Sequence, residues 1–119
     1  MVFSGCSKAS AKKDYILATG GTSGTYYPFG GAIANIWNTK IENMNVTAQA
    51  TGASAENLRL INKGDAEFGT VQNDVMDYAF NGTDMFAGEK LSNIATIGTL
   101  YTEVIQIAVS ENSGINSIY

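Results

Sequence analysis

The sequence of 119 residues predicts an α/β fold with a mostly parallel sheet flanked by helices. Two observations lead to this prediction. Short apolar segments alternate with longer segments whose apolar residues recur every three or four positions. Glycine and small polar residues stand at most of the boundaries between them. The resulting order, β-α-β-α-β-α and then two strands, is typical of parallel sheets covered by helices.

The first six elements follow from this alternation. We predict strands at 15–19, 46–50 and 68–71, and helices at 26–38, 54–63 and 73–80. In the first helix the apolar residues fall at i, i+4, i+7 and i+8 and form one stripe: Phe29, Ile33, Ile36 and Trp37. Pro28 lies in its first turn, where a missing N–H is harmless.

The second helix has signals at both ends. Ser54 is a suitable N-cap, Glu56 favours the positive end of the helix dipole, and Gly64 ends the helix. Two further strands are predicted at 94–101 and 104–109. The second of these, VIQIAV, has the strongest strand signal in the chain because nearly all its residues are β-branched or apolar.

The composition favours a single folded domain that binds a ligand. The net charge of −4 offers no basic surface, so we expect no nucleic-acid partner. The sequence has no histidine and one cysteine, which excludes Ser-His-Asp and Cys-His catalysis and His-ligated metals. We therefore expect no metal, no cofactor and no enzymatic activity. No apolar run is long enough to span a membrane.

The N-terminus resembles the end of a bacterial lipoprotein signal. Small residues in VFSG precede Cys6, and a polar, Lys-bearing segment follows it. Residues 1–13 are therefore interpreted as a signal remnant and flexible tether. Lipidation of Cys6 would anchor the protein outside the cytoplasm, in the periplasm or at the cell surface. The alternative is an unstructured tail with an incidental cysteine.

Three junctions between a strand and the next helix could carry the chemistry. They lie at 20–27, 51–57 and 72–74, and each is rich in small polar residues. In an open parallel sheet, ligands bind beyond the carboxyl ends of the strands. Helix N-termini at the same edge favour anions. The junctions therefore predict one site for a small anion.

The glycine-rich loop in the first junction fits neither common nucleotide motif. The P-loop needs a Lys, and none lies between Lys13 and Lys40. The dinucleotide fingerprint needs glycines two positions apart, and the chain has no such pair. A small-anion loop and a ligand-free tight turn both remain. For Ser54, Asn57 and the Gln72-Asn73 pair, helix capping is the alternative to a ligand role.

Three segments resemble the TAXI family, the solute-binding proteins of tripartite ATP-independent periplasmic (TRAP) transporters. They are ATGGTSGTYYPFGGAIANIWN at 18–38, QATGASAENLRLINKGDAEFGTVQND at 49–74, and IATIGTLYTEVIQIAV at 94–109. The resemblance implies a type II periplasmic-binding-protein fold. It also implies capture of glutamate, glutamine, 2-oxoglutarate or a similar small organic anion for TRAP membrane permease subunits.

The resemblance also assigns ligand-binding residues. Its Gly-Thr-Tyr-Tyr loop corresponds to Gly24, Thr25, Tyr26 and Tyr27. Its Gly-x-Ser-x-x-Asn segment and the Gln after the third strand place Ser54, Asn57 and Gln72 in the same site. These positions coincide with the three junctions.

Family members are longer, so residues 14–119 are expected to form part of the first lobe, ending near the crossover to the second. We expect such a half-cleft to bind its solute weakly by itself, since burial makes these sites tight. We also expect self-association through incomplete sheet edges. A ligand-sensing module of the same fold and, less well supported, an anion-hole enzyme are the alternative functions.

Overall fold

The structure is a computed structural model that describes residues 12–118. Its strands are β1 (Lys13–Ala18), β2 (Met44–Gln49) and β3 (Phe68–Gly69), and its helices are α1 (Tyr26–Lys40), α2 (Ser54–Lys63) and α3 (Asn73–Asn81). A single 3₁₀ turn follows at Asp84–Phe86. All six alternating elements are confirmed, with boundaries within two residues of those predicted. Cys6 and nearly all of the predicted tether lie outside the described residues.

The three strands form one parallel sheet in the order β2-β1-β3. Leu17 in the central strand lies opposite Ala48 on one side and Phe68 on the other. Since all three strands run the same way, their carboxyl ends meet at one edge. The predicted fold class is confirmed, and the arrangement is consistent with part of one lobe of a periplasmic-binding-protein fold.

Two apolar clusters form the core. The first, between α1 and the sheet, is built on buried Leu17, Ala34 and Val46, with Trp37 and Phe68 packed against them. The second joins α2, α3 and the segment that follows them. Its buried members are Leu58, Val75, Ala79, Phe86 and Leu91.

The apolar stripe predicted for α1 is only partly right. Ile33 and Trp37 pack on the first cluster, but Phe29 and Ile36 are 37% and 56% exposed. The fully buried positions of the helix are instead Gly30 and Ala34. Small residues at the contact let the helix backbone approach the sheet, which turns the larger neighbours outward.

Gly30 makes this close approach possible, and its replacement gives a test. A Cβ atom there would lie 2.4 Å from Cγ2 of Thr19. We expect Gly30→Ala to lower the free energy of unfolding by about 1–3 kcal/mol, because overpacking outweighs the better helix propensity of alanine. Gly31→Ala is the matched control, since a Cβ there meets nothing within 4 Å. It should stabilise the protein by up to about 1 kcal/mol in urea denaturation. Equal effects of the two substitutions would contradict the close packing.

The strands predicted at 94–101 and 104–109 are wrong. Residues 94–110 have no regular secondary structure, and Ile105 in VIQIAV is 90% exposed. A strand is stabilised by hydrogen bonds to a neighbouring strand and by burial of its side chains. Among residues 12–118 this segment pairs with no strand, so its high β-propensity has no effect.

Candidate ligand-binding site

Asn57 connects the carboxyl ends of the strands beneath the predicted site. Its side chain is completely buried. Nδ2 donates hydrogen bonds to the carbonyl oxygens of Thr19, at 2.6 Å, and Thr70, at 2.8 Å. Oδ1 accepts a bond of 2.6 Å from the Thr51 hydroxyl. Both amide hydrogens are therefore used within the protein. The observed role of Asn57 is structural, and its direct contact with a ligand stays a prediction.

Threonines follow the carboxyl ends of all three strands, a pattern that the sequence interpretation missed. The Thr19 hydroxyl donates to the carbonyl oxygen of Gln49 at 2.6 Å and so connects β1 to β2. Thr51 donates to Asn57, while the buried Thr70 hydroxyl has no hydrogen-bond partner within residues 12–118. The sequence signal that could have revealed this pattern is the threonine that recurs after each apolar segment.

The second junction has a strained backbone and a different cap from the one predicted. Ala53, not Ser54, is the N-cap of α2, and it caps with no side-chain bond. Its φ of 68° and ψ of −149° are values that residues other than glycine rarely adopt. The buried Ser54 hydroxyl instead accepts a hydrogen bond of 3.0 Å from the backbone N–H of Gln72. Capping by Ser54 was therefore wrong, and the side chain connects two junctions.

Tyr26, Ser54 and Gln72, one residue from each junction, lie together in a polar cluster with Glu103. Gln72 donates its backbone N–H to Ser54, and its side-chain Nε2 donates to Oε2 of Glu103 at 2.9 Å. The Tyr26 hydroxyl lies beside Ser54 and Glu103, and both side chains affect its pKa. The structure thus brings three of the seven predicted residues into one network around a carboxylate. We call Tyr26, Ser54, Gln72 and Glu103 the edge network.

Aromatic contacts hold the segment that carries Glu103 against the edge of the sheet. The Tyr101 ring lies edge-on to Phe29 and Tyr26, with centroids 5.4 and 6.5 Å away. Its hydroxyl lies 3.4 Å from Oε1 of Glu103. Sequence reasoning missed Tyr101 and Glu103. Their position depends on the path of a segment without regular secondary structure, which has no periodic signal.

Gly24, Thr25 and Tyr27 are exposed residues of the first junction, and the edge network does not include them. Thr25 is the N-cap of α1 but makes no side-chain capping bond. Their predicted ligand contacts stay predictions. Gly20 has a packing role, because a Cβ atom there would lie 3.3 Å from Cβ of Tyr26.

The edge offers neutral hydrogen-bond donors and no basic side chain. Residues 19–27, 49–57 and 70–74 contain no Lys or Arg. Arg59 lies further along α2 and forms an ion pair of 3.0 Å with Glu89. Attraction for an anion would therefore come from N–H and O–H groups and from the N-termini of α1, α2 and α3.

The described part of the chain has no metal cluster at this edge, and its two best-formed cavities are open. In residues 12–118, no group of three or more His, Cys, Asp or Glu side chains is placed to hold a metal ion. The two open cavities have volumes of about 390 and 430 Å³, and only the first reaches a junction, at Asn73. One lies along α3 beside Phe80, and the other lies near Lys12 and Asn43 at the opposite end of the strands.

Burial, reinforced by Glu103, raises the pKa of Tyr26 to about 12. The folded protein holds this proton more tightly than the unfolded chain, so the contribution to stability is complete below about pH 10 and disappears as the pH rises toward 12. We expect the stability of the wild-type protein to fall more steeply over this range than that of Tyr26→Phe. Urea denaturation at pH 9, 10 and 11 measures the difference. If the free energy of unfolding fell equally with pH in the two proteins, the raised pKa of Tyr26 would be contradicted.

The parallel sheet and its three polar junctions are consistent with part of one lobe of a periplasmic-binding protein. Family comparison agrees: residues 17–119 match the NMT1-like family, a periplasmic-binding-protein-like family, and the chain belongs to it. Membership indicates a solute-binding function of the kind found outside the cytoplasm. Among the described residues, no helix is long and apolar enough to cross a membrane.

Proposed function

We propose that this chain captures a small organic anion or amino acid, such as glutamate, glutamine or 2-oxoglutarate, as part of the extracytoplasmic receptor of a TRAP-type transporter. The observation that carries the proposal is the edge network. Each of the three junctions contributes one residue to it, and two of these residues, Tyr26 and Gln72, lie against a carboxylate group. A ligand carboxylate would meet the same donors.

The chemistry of the edge supports binding without turnover. The groups that face the carboxylate are phenol hydroxyls and a side-chain amide, which recognise it by hydrogen bonds. The sequence has no histidine to act as a general base near neutral pH. We therefore propose a binding protein and not an enzyme.

Delivery to TRAP membrane permease subunits is the part of the proposal that rests on likeness to the TAXI proteins. The resembling segments at 18–38 and 49–74 contain all the predicted ligand contacts. A lipid anchor on Cys6 would place the receptor beside such a permease. Mass spectrometry of Cys6 after expression with a complete lipoprotein signal tests the anchor.

A thermal-shift screen with amino acids and dicarboxylates tests the binding function. A ligand that binds only the folded protein raises the melting temperature by mass action. We expect a small carboxylate to produce such a shift. We expect Gln72→Ala to abolish it, because the substitution removes the Nε2 donor.

Gln106→Ala is the matched control for this screen, since Gln106 is exposed and lies outside the edge network. The control should keep the full ligand-induced shift. If Gln72→Ala and Gln106→Ala responded alike, the ligand would bind elsewhere. Because a half-cleft is expected to bind weakly, the solutes are used at high concentration; if none then stabilised the wild-type chain, the proposed function would be wrong.

A further inference from the structure

Glu103 occupies the position that the proposed function assigns to a ligand carboxylate. Its Oε2 accepts the 2.9 Å bond from Gln72, and its Oε1 lies 3.4 Å from the Tyr101 hydroxyl. The Tyr26 hydroxyl is the third polar group beside it. These donors come from α1, from the start of α3 and from the segment of Glu103 itself.

The three partners form a set suited to a carboxylate. An ionised carboxylate only accepts hydrogen bonds, and each partner supplies an N–H or O–H group. Tyr26 is the first residue of α1 and Gln72 is the N-cap of α3, so both groups lie at positive helix ends. No Lys or Arg in the three junctions is available to bind the anion as a simple ion pair.

The segment that brings Glu103 to this position is weakly held. Residues 102–110 are exposed and belong to no helix or strand. The described hydrogen bonds that hold this segment at the edge are those of Glu103, whereas Tyr101, which precedes it, is held separately by its ring contacts with Tyr26 and Phe29. Segments with few buried contacts open locally at low free-energy cost. Glu103 can therefore leave without unfolding of the sheet.

We propose that Tyr26, Gln72 and Tyr101 form a carboxylate receptor and that Glu103 is its internal occupant, which a free carboxylate ligand has to displace. The inference rests on the proposed function and adds that Glu103 competes with the free ligand for the same donors. A site that its own chain closes for nine-tenths of the time binds a free ligand about tenfold more weakly than the open site does.

The test compares glutarate binding by Glu103→Ala, Glu103→Gln and the wild-type chain, using calorimetry. Glutarate is chosen because carboxylates are its only polar groups. We expect Glu103→Ala to bind it about tenfold more tightly than the wild type. Glu103→Gln keeps the size of the side chain but loses its charge, so we expect an intermediate gain. Glu111→Ala makes the same charge change at an exposed position just after this segment and should bind like the wild type.

A second readout follows the contact without any ligand. The Gln72 side-chain amide resonance in a ¹⁵N spectrum should move in Glu103→Ala and stay in place in Glu111→Ala. Circular dichroism of each variant confirms that the helices are retained.

The outcomes separate this inference from the proposed function. Weaker or unchanged glutarate binding by Glu103→Ala would overturn the competition and make Glu103 either a ligand contact or a bystander. An unmoved Gln72 resonance would overturn it as well. If only a solute without a carboxylate bound, the receptor would be wrong while solute binding stood. If no solute bound any of the proteins, both would be wrong.

Discussion

Replacing Asn57 by alanine is expected to lower the free energy of unfolding by about 3 kcal/mol, a large share of the stability of a small domain. Its amide donates to the carbonyl oxygens of Thr19 and Thr70 and accepts from Thr51, in a completely buried position. Truncation leaves the carbonyl oxygens of the buried Thr19 and Thr70 without this partner, and each lost partner of a buried group costs about 1–3 kcal/mol.

The Asn57→Asp variant separates the destabilisation caused by lost hydrogen bonds from that caused by lost side-chain volume. The introduced carboxylate has nearly the shape of the amide and still accepts from Thr51, but it faces two carbonyl oxygens with no hydrogen to donate. We expect it to destabilise the protein at neutral pH at least as much as alanine does. Acidification should restore part of the loss, because a protonated carboxyl group donates one bond.

Asn81→Ala is the control for both Asn57 variants. Asn81 is exposed at the end of α3 and makes one bond, of 2.9 Å, to Asp77. Its replacement should change the free energy of unfolding by less than about 0.5 kcal/mol in urea denaturation. A loss at Asn57 no larger than that at Asn81 would show that the three strand ends do not depend on the amide.

The alternating part of the fold was predictable because two signals coincide there. In α2, for example, a Ser-Ala-Glu start, an apolar repeat and a terminal glycine all support the same ten-residue helix, Ser54–Lys63. The final segment has only one signal. VIQIAV has a high β-propensity, but propensity becomes a strand only where a neighbouring strand is present. Such pairing is a property of the whole fold.

The sequence predicted which three junctions form the site. It predicted the contacts of the individual side chains less well. Parallel strands bring Tyr26, Ser54 and Gln72 to one edge, so their proximity follows from topology. Whether an asparagine there faces a ligand or the backbone depends on distances of a few ångströms. The contact of Glu103 with Gln72 joins residues 31 positions apart through an irregular segment, for which the sequence has no pattern.

Sequence analysis also did not identify Phe86 as a core residue. Of the truncations in the second core cluster, that of Phe86 is expected to lower the free energy of unfolding most. The residue lies in a 3₁₀ turn within a segment rich in Gly and Asp, yet its side chain is completely buried. It packs with Leu58, Val75 and Leu91, and the Arg59 guanidinium lies 4.5 Å from its ring centre. We expect Phe86→Ala to lower the free energy of unfolding by about 4 kcal/mol through cavity formation.

Phe80→Ala is the matched truncation, because the ring of Phe80 is 53% exposed on α3. We expect a loss of about 1 kcal/mol there, in line with its partial burial. Urea denaturation followed by circular dichroism reports all three helices, while fluorescence of the single tryptophan, Trp37, reports the first cluster. Since small domains usually unfold cooperatively, we expect Phe86→Ala to shift both curves together. A shift confined to circular dichroism would mean that α2 and α3 unfold independently of the contact between α1 and the sheet.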